Sequence, residues 1–521
     1  MKKTSFPSLL CAVTLASATL VGCSAAKPTS GSAEQPTTST ATEPARTAPD
    51  QASTAATKPA QTAKGSGSVA WSPCTGLPGP DGKPAAPDPA IECGKLAVPL
   101  DYTKQDGEQI DLALIRVKAS GDRLGSLVFN FGGPGGSGVD LLSMTAKVFA
   151  GMGARYDLVS FDPRGVERSA PVKCGSVEKW ISLDPAGDEV DKVAKKFAAT
   201  CAKISGKLLP HVGTVNAARD LDRIRAALGD ERLNYFGMSY GTHLGAVYAT
   251  QYPKNVGRFV LDGALDPTVT FAERAKTQTA GFRQAFEAFA ADCVKQGCDL
   301  GADPAAVRKS VETLLSGLRD KPLKVADREL TKGLASTGVL AALYAKLSWP
   351  MLEQAAAAAV KGDGAQLLAL ADSYNGRKAD GTYSSLMTSV LAIDCVDSAE
   401  RPSAAEIDQV ERETAKIFPL MRNGGLGSIC AHWPAPGSDE SKKIDATGSA
   451  PILVIGGKGD PATPYAWAPK LAAQLKTGVL VTYEGEGHGA YLSGSSCVSR
   501  LVDAYFLTGK SPGTNATCPA A

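Results

Sequence analysis

The sequence predicts an α/β fold in which a mostly parallel sheet carries helices on both faces and is interrupted by a helical cap. Strand and helix patterns alternate along the chain, which requires right-handed crossovers between parallel strands. Apolar residues at helical spacing over 215–228 predict a helix before the third strand, and a second helix is predicted after that strand at about 240–252. Short apolar runs that stop at polar or glycine-rich loops predict buried strands at 126–131, 157–161, 233–236, 258–262, 451–455 and 479–483.

The N-terminus has the pattern of an export signal with a lipid anchor. Lys2 and Lys3 precede an apolar run, residues 9–21, that is too short to span a bilayer as a stable helix. The run ends in Leu-Val-Gly-Cys, which resembles a bacterial lipobox, so residues 1–22 are predicted to be a lipoprotein signal peptide. Cys23 would then be lipidated and anchor the protein to the cell membrane on its extracytoplasmic side; a plain secretory signal is the alternative.

The remaining chain divides into a tether, two parts of a core and a cap. Residues 23–66 contain no aromatic residue and are rich in Ala, Thr, Ser and Pro, which predicts a disordered tether; the sequence leaves open whether proteolysis there releases the protein. Between the core segments 67–268 and 449–521, helices without intervening strands predict a cap at 269–448. The predicted cap helices are 271–295, 304–318, 339–361 with a break at Pro350, 364–374 and 404–418.

Composition narrows the function classes. The chain has 55 basic and 53 acidic residues, a net charge of +2, which argues against nucleic-acid binding. Without Cys11 in the signal and Cys23, ten of the twelve cysteines remain, an even number suited to disulfides in an exported protein. Pairing in sequence order would give five modest loops, although sequence alone does not fix the connectivity. No paired C-x-x-C or H-E-x-x-H spacing occurs, so neither a metal nor another cofactor is predicted.

A candidate nucleophile lies where the third strand meets its helix. Residues 237–241 read Gly-Met-Ser-Tyr-Gly, a G-x-S-x-G pattern that is weak by itself in a glycine-rich chain. Its position between a predicted strand and a predicted helix is that of a nucleophile elbow, which projects Ser239 from a tight turn.

The serine needs a base, and the chain has only four histidines. In hydrolases with such an elbow the order is serine, acid, histidine, so the base is expected after the last strand, at His488. The other three are expected to be structural: His243 in a helix, His432 beside a cysteine, and His211 in a loop without a motif.

The acid is expected at the end of the preceding strand, which points to Asp460 in Gly-Asp-Pro-Ala-Thr-Pro. An aspartate that only caps a turn is the alternative. Backbone donors for the oxyanion are expected from the glycine loop 132–138, with Gly133 and Tyr240 as the two N–H groups. A phosphate loop is disfavoured because Pro134 removes a donor and no Gly-Lys-Ser/Thr ending follows.

Together these segments resemble the secreted tripeptidyl aminopeptidases of actinobacteria, α/β-hydrolases related to proline iminopeptidase with a characteristic TAP-like C-terminal module. The resemblance implies a serine exopeptidase that releases short peptides, tripeptides or Pro-containing ones, from free N-termini, with Ser239, Asp460 and His488 as its triad. Two positions depart from the pattern: Phe131 replaces a histidine, and Glu167 stands where relatives often have glycine and is expected to alter that turn. The matching segments are 131–138, 161–165, 218–222, 237–242, 459–464 and 487–489.

Exopeptidase action needs a carboxylate for the substrate's α-ammonium, and Asp394 or Asp397, flanking Cys395, are the candidates. Solvated surface acids near a disulfide are the alternative. Two other functions stay open: a carboxylesterase or lipase of the same fold, since fold does not set the acyl substrate, and a non-catalytic solute-binding lipoprotein. The sequence does not indicate an oligomeric state.

Overall fold

The computed structural model describes residues 68–79, 88–183, 189–421 and 424–521. The predicted signal peptide, Cys23 and the tether at 23–66 lie outside these ranges. Within them, the chain folds around a large sheet whose strands alternate with helices along the sequence. The strands are β1 (Ser72–Pro73), β2 (Ile91–Pro99), β3 (Gln109–Val117), β4 (Gly125–Asn130), β5 (Tyr156–Phe161), β6 (Leu233–Met238), β7 (Val256–Asp262), β8 (Leu323–Val325), β9 (Arg328–Leu330), β10 (Ile452–Gly459), β11 (Gly478–Glu486) and β12 (Ala516–Cys518).

The sheet is antiparallel at one edge and parallel through the rest. Its strand order is β1-β2-β3-β5-β4-β6-β7-β10-β11-β12. The pairs β1–β2, β2–β3 and β3–β5 are antiparallel, whereas every pair from β5 to β12 in this order is parallel. The carboxyl ends of β4, β6, β7, β10 and β11 therefore meet at one edge of the sheet, where ligands bind in open α/β sheets.

Helices cover both faces of the sheet and form the segment between β7 and β10. They are α1 (Gly138–Thr145), α2 (Ala150–Gly153), α3 (Glu178–Ile181), α4 (Val190–Ser205), α5 (Thr214–Ala227), α6 (Tyr240–Gln251), α7 (Phe271–Gln296), α8 (Pro304–Asp320), α9 (Lys332–Leu343), α10 (Trp349–Val360), α11 (Ala365–Tyr374), α12 (Leu386–Val396), α13 (Ala404–Ile417), α14 (Gly424–Ala431), α15 (Trp467–Leu475) and α16 (Ser496–Thr508).

The segment between β7 and β10 contains two helices that were not predicted, α12 and α14, and differs from the prediction in two further details. The helix expected at 339–361 is two helices, α9 and α10, and Pro350 lies in the first turn of α10, where its missing N–H costs nothing. The expectation that no strand interrupts these helices is wrong, because β8 and β9 form an antiparallel hairpin. Ala326, in its tight turn, has a φ of 55°.

Three apolar clusters hold the described chain together. One lies on each face of the sheet, and a third lies among the cap helices α7 to α11, with residues such as Phe286, Phe289 and Trp349. Helix α12 belongs to the sheet side, since Leu391, Ile393 and other buried residues of this helix join the cluster under α5 and α6. It therefore connects the cap region to the sheet.

Five disulfides join the ten cysteines that the sequence left for pairing. The pairs are neighbours in sequence order: Cys74–Cys93, Cys174–Cys201, Cys293–Cys298, Cys395–Cys430 and Cys497–Cys518. The structure thus gives the connectivity that the sequence alone left open, and it is the pairing in sequence order. In the part of the chain that the structure describes, no helix combines the length and the apolar character that crossing a bilayer requires.

Candidate active site

The nucleophile candidate lies on a sharp turn between β6 and α6. Ser239 has φ 57° and ψ −126°, a conformation that a non-glycine residue adopts only where the surrounding structure enforces it. The turn also needs its glycine at 237, because a Cβ there would lie 2.3 Å from the Gly241 carbonyl oxygen. The Ser239 N–H donates to the Asp262 carbonyl at 3.0 Å, which fixes the turn to the neighbouring strand β7.

The acid and base candidates meet at the ends of β10 and β11. His488 Nδ1 lies 3.0 Å from Asp460 Oδ1 and 2.9 Å from Oδ2, and the two side chains are 5% and 1% exposed. Asp460 also accepts the N–H groups of Ala462 and Thr463 at 2.9 and 2.8 Å. Its carboxylate is thus fixed by its own loop and directed at the imidazole.

Thr463 links the two members of this pair. Its hydroxyl donates to Asp460 Oδ2 at 2.9 Å and lies 3.2 Å from His488 Nδ1. Sequence reasoning did not select Thr463, although an Asp followed three residues later by Thr is a spacing at which the side chain closes its own turn.

The charge of Asp460 sets the protonation of His488. Burial by itself would lower the pKa of His488, but the nearby Asp460 charge, its hydrogen bond and a smaller contribution from Asp262 outweigh burial and raise the pKa. Because Nδ1 faces the carboxylate, Nε2 is the nitrogen left to accept a proton.

His488 lies beside the nucleophile turn because their flanking residues pack together. A Cβ added at Gly489 would lie 2.9 Å from Met238 Sδ, so the residue after His488 touches the residue before Ser239. The structure therefore brings the three residues of the predicted triad to one edge of the sheet.

The glycine loop after β4 packs directly on the same turn. A Cβ at Gly132 would lie 2.8 Å from Ser239 Cβ and 3.1 Å from the Tyr240 nitrogen. Gly133, the predicted second donor, follows with a φ of 117° that favours glycine. Ser137 joins this loop to the loop after β5, because its hydroxyl donates to Asp162 Oδ1 at 2.6 Å.

The cap reaches the catalytic edge through an aromatic residue just after α9. The Tyr344 ring packs edge to face on the His488 imidazole, with 5.4 Å between centroids, and its carbonyl accepts the His488 N–H at 2.7 Å. The Tyr344 hydroxyl lies 3.2 Å from that of Tyr374, which is 39% exposed. Tyr344 lies more than a hundred residues from His488 in the chain, so no local pattern could have identified it.

The three other histidines lie elsewhere. His243 is buried in α6 with Nε2 2.9 Å from the Ser441 carbonyl, and burial lowers its pKa to about 4. His432 pairs with Asp191 at 2.6 Å. The His211 carbonyl accepts from the Arg164 guanidinium, and burial lowers the pKa of its imidazole.

The two departures from the family pattern have clear structural places. Phe131 stacks on Phe129 with 5.7 Å between centroids and joins an aromatic cluster behind the glycine loop. Glu167, at φ 34°, adopts a strained turn, and its carboxylate accepts the Ser385 N–H while its own N–H donates to the Ser385 hydroxyl. This reciprocal pair fixes the start of α12.

The amine-site candidates lie at the other end of α12 and differ in their partners. Asp397 accepts from both the N–H and the hydroxyl of Thr214, and burial raises the pKa of Asp397 to about 7. Asp394 is 13% exposed and pairs with Arg274 at 3.4 Å through Oδ1. Its Oδ2 is buried without a hydrogen-bond partner among the residues that the structure describes.

A serine on a strained turn after a central parallel strand, with an Asp–His pair on loops at the same sheet edge, defines an α/β-hydrolase. Comparison with known proteins supports this class. A family model described as TAP-like protein matches residues 419–518.

Relatives that match most of the chain make the assignment specific. Serine protease Hip1 of Mycobacterium tuberculosis is 39% identical over 477 residues, which cover 86% of this chain and 91% of that protein. Carboxylesterase B of the same species is 35% identical, with 82% and 86% covered. Tripeptidyl aminopeptidase of Streptomyces lividans is 33% identical, with 82% and 83% covered. The chain belongs to this tripeptidyl aminopeptidase family and is a serine hydrolase, so the non-catalytic interpretation is wrong.

Proposed function

We propose that the protein is an exported, lipid-anchored serine exopeptidase that releases short peptides from free N-termini. The observation that carries this proposal is the buried Asp460–His488 pair beside the strained Ser239 turn. The names of the relatives, a serine protease and a tripeptidyl aminopeptidase, favour a peptide as the substrate.

In the proposed mechanism Ser239 attacks the scissile carbonyl while His488 Nε2 takes its proton. Asp460 keeps the imidazole in the tautomer that leaves Nε2 free, and it stabilises the imidazolium. The N–H groups of Gly133 and Tyr240 receive the developing oxyanion. His488 then protonates the leaving amine, and water hydrolyses the acyl-enzyme in the second step.

Specificity for a free N-terminus requires a carboxylate for the substrate ammonium, and Asp394 is the better candidate. Both oxygens of Asp397 are occupied by Thr214, whereas Asp394 has an oxygen without a partner. Asp394 lies on α12, the helix on which Gly135 of the glycine loop packs, so this helix reaches the site. An ammonium bound to Oδ2 would satisfy that buried oxygen.

Export and anchoring form part of the same proposal. Five disulfides are typical of proteins that fold in an oxidising compartment, which is consistent with export. The anchor at Cys23 depends on the sequence pattern alone. Palmitate labelling of the wild-type protein in an actinobacterial host, with Cys23→Ser as the control, tests the anchor. Label that appears on the wild type and not on Cys23→Ser supports it.

An esterase is the second candidate, because carboxylesterase B is a relative of similar identity. The triad and oxyanion donors would serve an ester as well as an amide. The difference lies in the substrate amine, which an esterase has no need to recognise.

The test compares tripeptide p-nitroanilides with the amino terminus free or acetylated, using Ser239→Ala as the blank. Asp394→Asn and the exposed Asp408→Asn serve as a matched pair. We expect cleavage of the free form only, and a KM that rises about 10-fold or more in Asp394→Asn because a charge-assisted bond is lost. Asp408→Asn should behave as wild type.

Other outcomes separate the candidates. Equal cleavage of free and acetylated peptides, or no peptide cleavage beside rapid hydrolysis of p-nitrophenyl esters, would reject the exopeptidase and favour the esterase. If only the free peptide is cleaved but Asp394→Asn leaves KM unchanged, the exopeptidase function stands and only the assignment of Asp394 as the amine site is rejected.

A further inference from the structure

A second aspartate, Asp262, lies at the catalytic edge and contacts both catalytic loops. It is the last residue of β7, which lies between β6 and β10 in the sheet. The nucleophile turn follows β6, and the Asp460 loop follows β10. The Asp262 carbonyl accepts the Ser239 N–H at 3.0 Å, so the main chain of this residue holds the nucleophile turn.

The Asp262 side chain holds the histidine loop. Its Oδ1 accepts the Ala490 N–H at 2.9 Å and its Oδ2 the Tyr491 N–H at 2.8 Å, two and three residues after His488. The side chain is buried, with the residue 1% exposed. The next residue, Gly263, packs on the imidazole, since a Cβ there would lie 3.1 Å from His488 Cε1.

From these contacts we propose that Asp262 is a positioning residue that fixes the distance between the nucleophile Ser239 and the base His488. Its side chain accepts two backbone N–H groups of the histidine loop, and its carbonyl accepts the backbone N–H of Ser239. This role differs from that of Asp460, whose carboxylate bonds the imidazole itself. This inference rests on the proposed triad.

A carboxylate suits this place better than its amide. One backbone N–H donates to each of the two carboxylate oxygens. An asparagine would place its NH₂ group, itself a donor, opposite one of these N–H groups. The charge matters as well: burial raises the pKa of Asp262 to about 6, against the lowering effect of the two N–H groups. The other charged groups that act on it are Asp460, which raises this pKa, and His488, which lowers it.

The test uses Asp262→Asn with Asp157→Asn as its matched control. Asp157 is also buried and accepts a backbone N–H, from Ala119 at 2.9 Å, but it lies near the amino end of β5, away from the catalytic edge. We expect kcat on a free tripeptide anilide to fall about 10- to 100-fold in Asp262→Asn with little change in KM, because a small displacement of base from nucleophile slows chemistry. Asp157→Asn should keep the wild-type kcat.

A pH profile distinguishes positioning from a general loss of structure. Removing the negative charge near the imidazolium should lower the pKa of His488, so the acid limb of kcat/KM should move to lower pH in Asp262→Asn. The control should leave this limb in place. Asp262→Ser, which is smaller and also uncharged, should reproduce both effects.

Several results would overturn the inference. An unchanged kcat and acid limb in folded Asp262→Asn would do so, as would equal kcat losses in the Asp157→Asn control. Failure of both Asp262 variants to fold, beside a folded control, would assign the residue a structural role instead. Ser239→Ala separates a failure of the proposed triad from a failure of this inference. Activity retained in Ser239→Ala would reject the triad. Activity lost in Ser239→Ala but unchanged in Asp262→Asn would reject only the role of Asp262.

Discussion

At the scale of single residues, the site depends on how Asp460 and His488 hold each other. The imidazole is almost fully buried and would be a weak base there without its partner. The carboxylate is held in turn by two N–H groups and the Thr463 hydroxyl, so it cannot turn away from Nδ1. The same carboxylate therefore sets both the tautomer and the charge of the base.

The raised pKa of His488 predicts the pH dependence of activity. The base works in its neutral form, so kcat/KM should fall as pH drops through its pKa in the free enzyme. Because Asp460 raises that pKa, the acid limb should have its midpoint above 6.5, the ordinary value for histidine. Initial rates on a free tripeptide anilide between pH 5 and 8.5 provide the measurement; a midpoint below 6.5 would disagree.

Asp460→Asn should inactivate the enzyme while leaving it folded. The amide can donate to Nδ1 and stabilise the wrong tautomer, so we expect kcat to fall by about 10⁴-fold. Stopped assays on concentrated enzyme would measure the residual rate, with Asp408→Asn as the exposed control. A loss of less than about tenfold would show that another group orients the base.

At the scale of elements, α12 connects the cap region to the site. Its start is fixed by the reciprocal Glu167–Ser385 hydrogen bonds. Gly135 of the glycine loop packs on this start, since a Cβ at Gly135 would lie 2.8 Å from the Leu386 carbonyl oxygen. Its last turn carries Asp394, the proposed amine site. Displacing this helix would therefore affect substrate binding more directly than the triad.

Glu167→Ala should weaken this attachment. The Ser385 N–H would lose its acceptor, so we expect the free energy of unfolding to fall by about 1 to 3 kcal/mol, with a higher KM and a smaller change in kcat. Glu167→Gln keeps an acceptor oxygen and should lose less. Urea unfolding together with steady-state kinetics would measure both; equal losses in the two variants would contradict the assigned contact.

Six of the parallel strands and three loops of the site could be predicted from the sequence because each is a local pattern, whereas the parallel strand β12, three residues long, was not predicted. The strand that precedes Ser239 was expected at 233–236 and is observed at Leu233–Met238. The antiparallel strands β2 and β3 were missed, since they mix polar and apolar residues at the sheet edge. The hairpin β8–β9 has strands of three residues, too short to show a period.

Residues that act through tertiary contacts could not be found this way. Tyr344 reaches His488 only because the cap folds back over the sheet edge. Asp262 ends a parallel strand, as Asp460 nearly does, and that shared position was a signal that the sequence offered. The choice between Asp394 and Asp397 needed the partners of each oxygen, which no spacing reveals.

At the scale of the whole molecule, a buried ion pair joins three segments around the sheet. Arg164 and Asp220 are fully buried. The guanidinium donates through Nε to Asp220 Oδ2 and through Nη2 to Oδ1, each at 2.7 Å. The guanidinium also donates at 3.0 Å to the carbonyls of Pro99, the last residue of β2, and of Leu100. Loss of one partner would leave an uncompensated buried charge.

Asp220→Asn should therefore lower the free energy of unfolding by about 3 to 5 kcal/mol. The matched control is Asp299→Asn, whose partner Lys361 is 69% exposed and whose loss should cost under about 1 kcal/mol. Urea unfolding under non-reducing conditions would compare the two. Similar small losses in both would show that the buried pair contributes no more than an exposed one.

Covalent labelling by a fluorophosphonate, with the labelled residue mapped by peptide mass spectrometry, tests the role of Ser239 directly. We expect one adduct, on Ser239, that is absent in Ser239→Ala and forms much more slowly in His488→Ala. An adduct on another residue, or labelling of Ser239 at an unchanged rate in His488→Ala, would contradict the assignment of Ser239 as the nucleophile activated by His488.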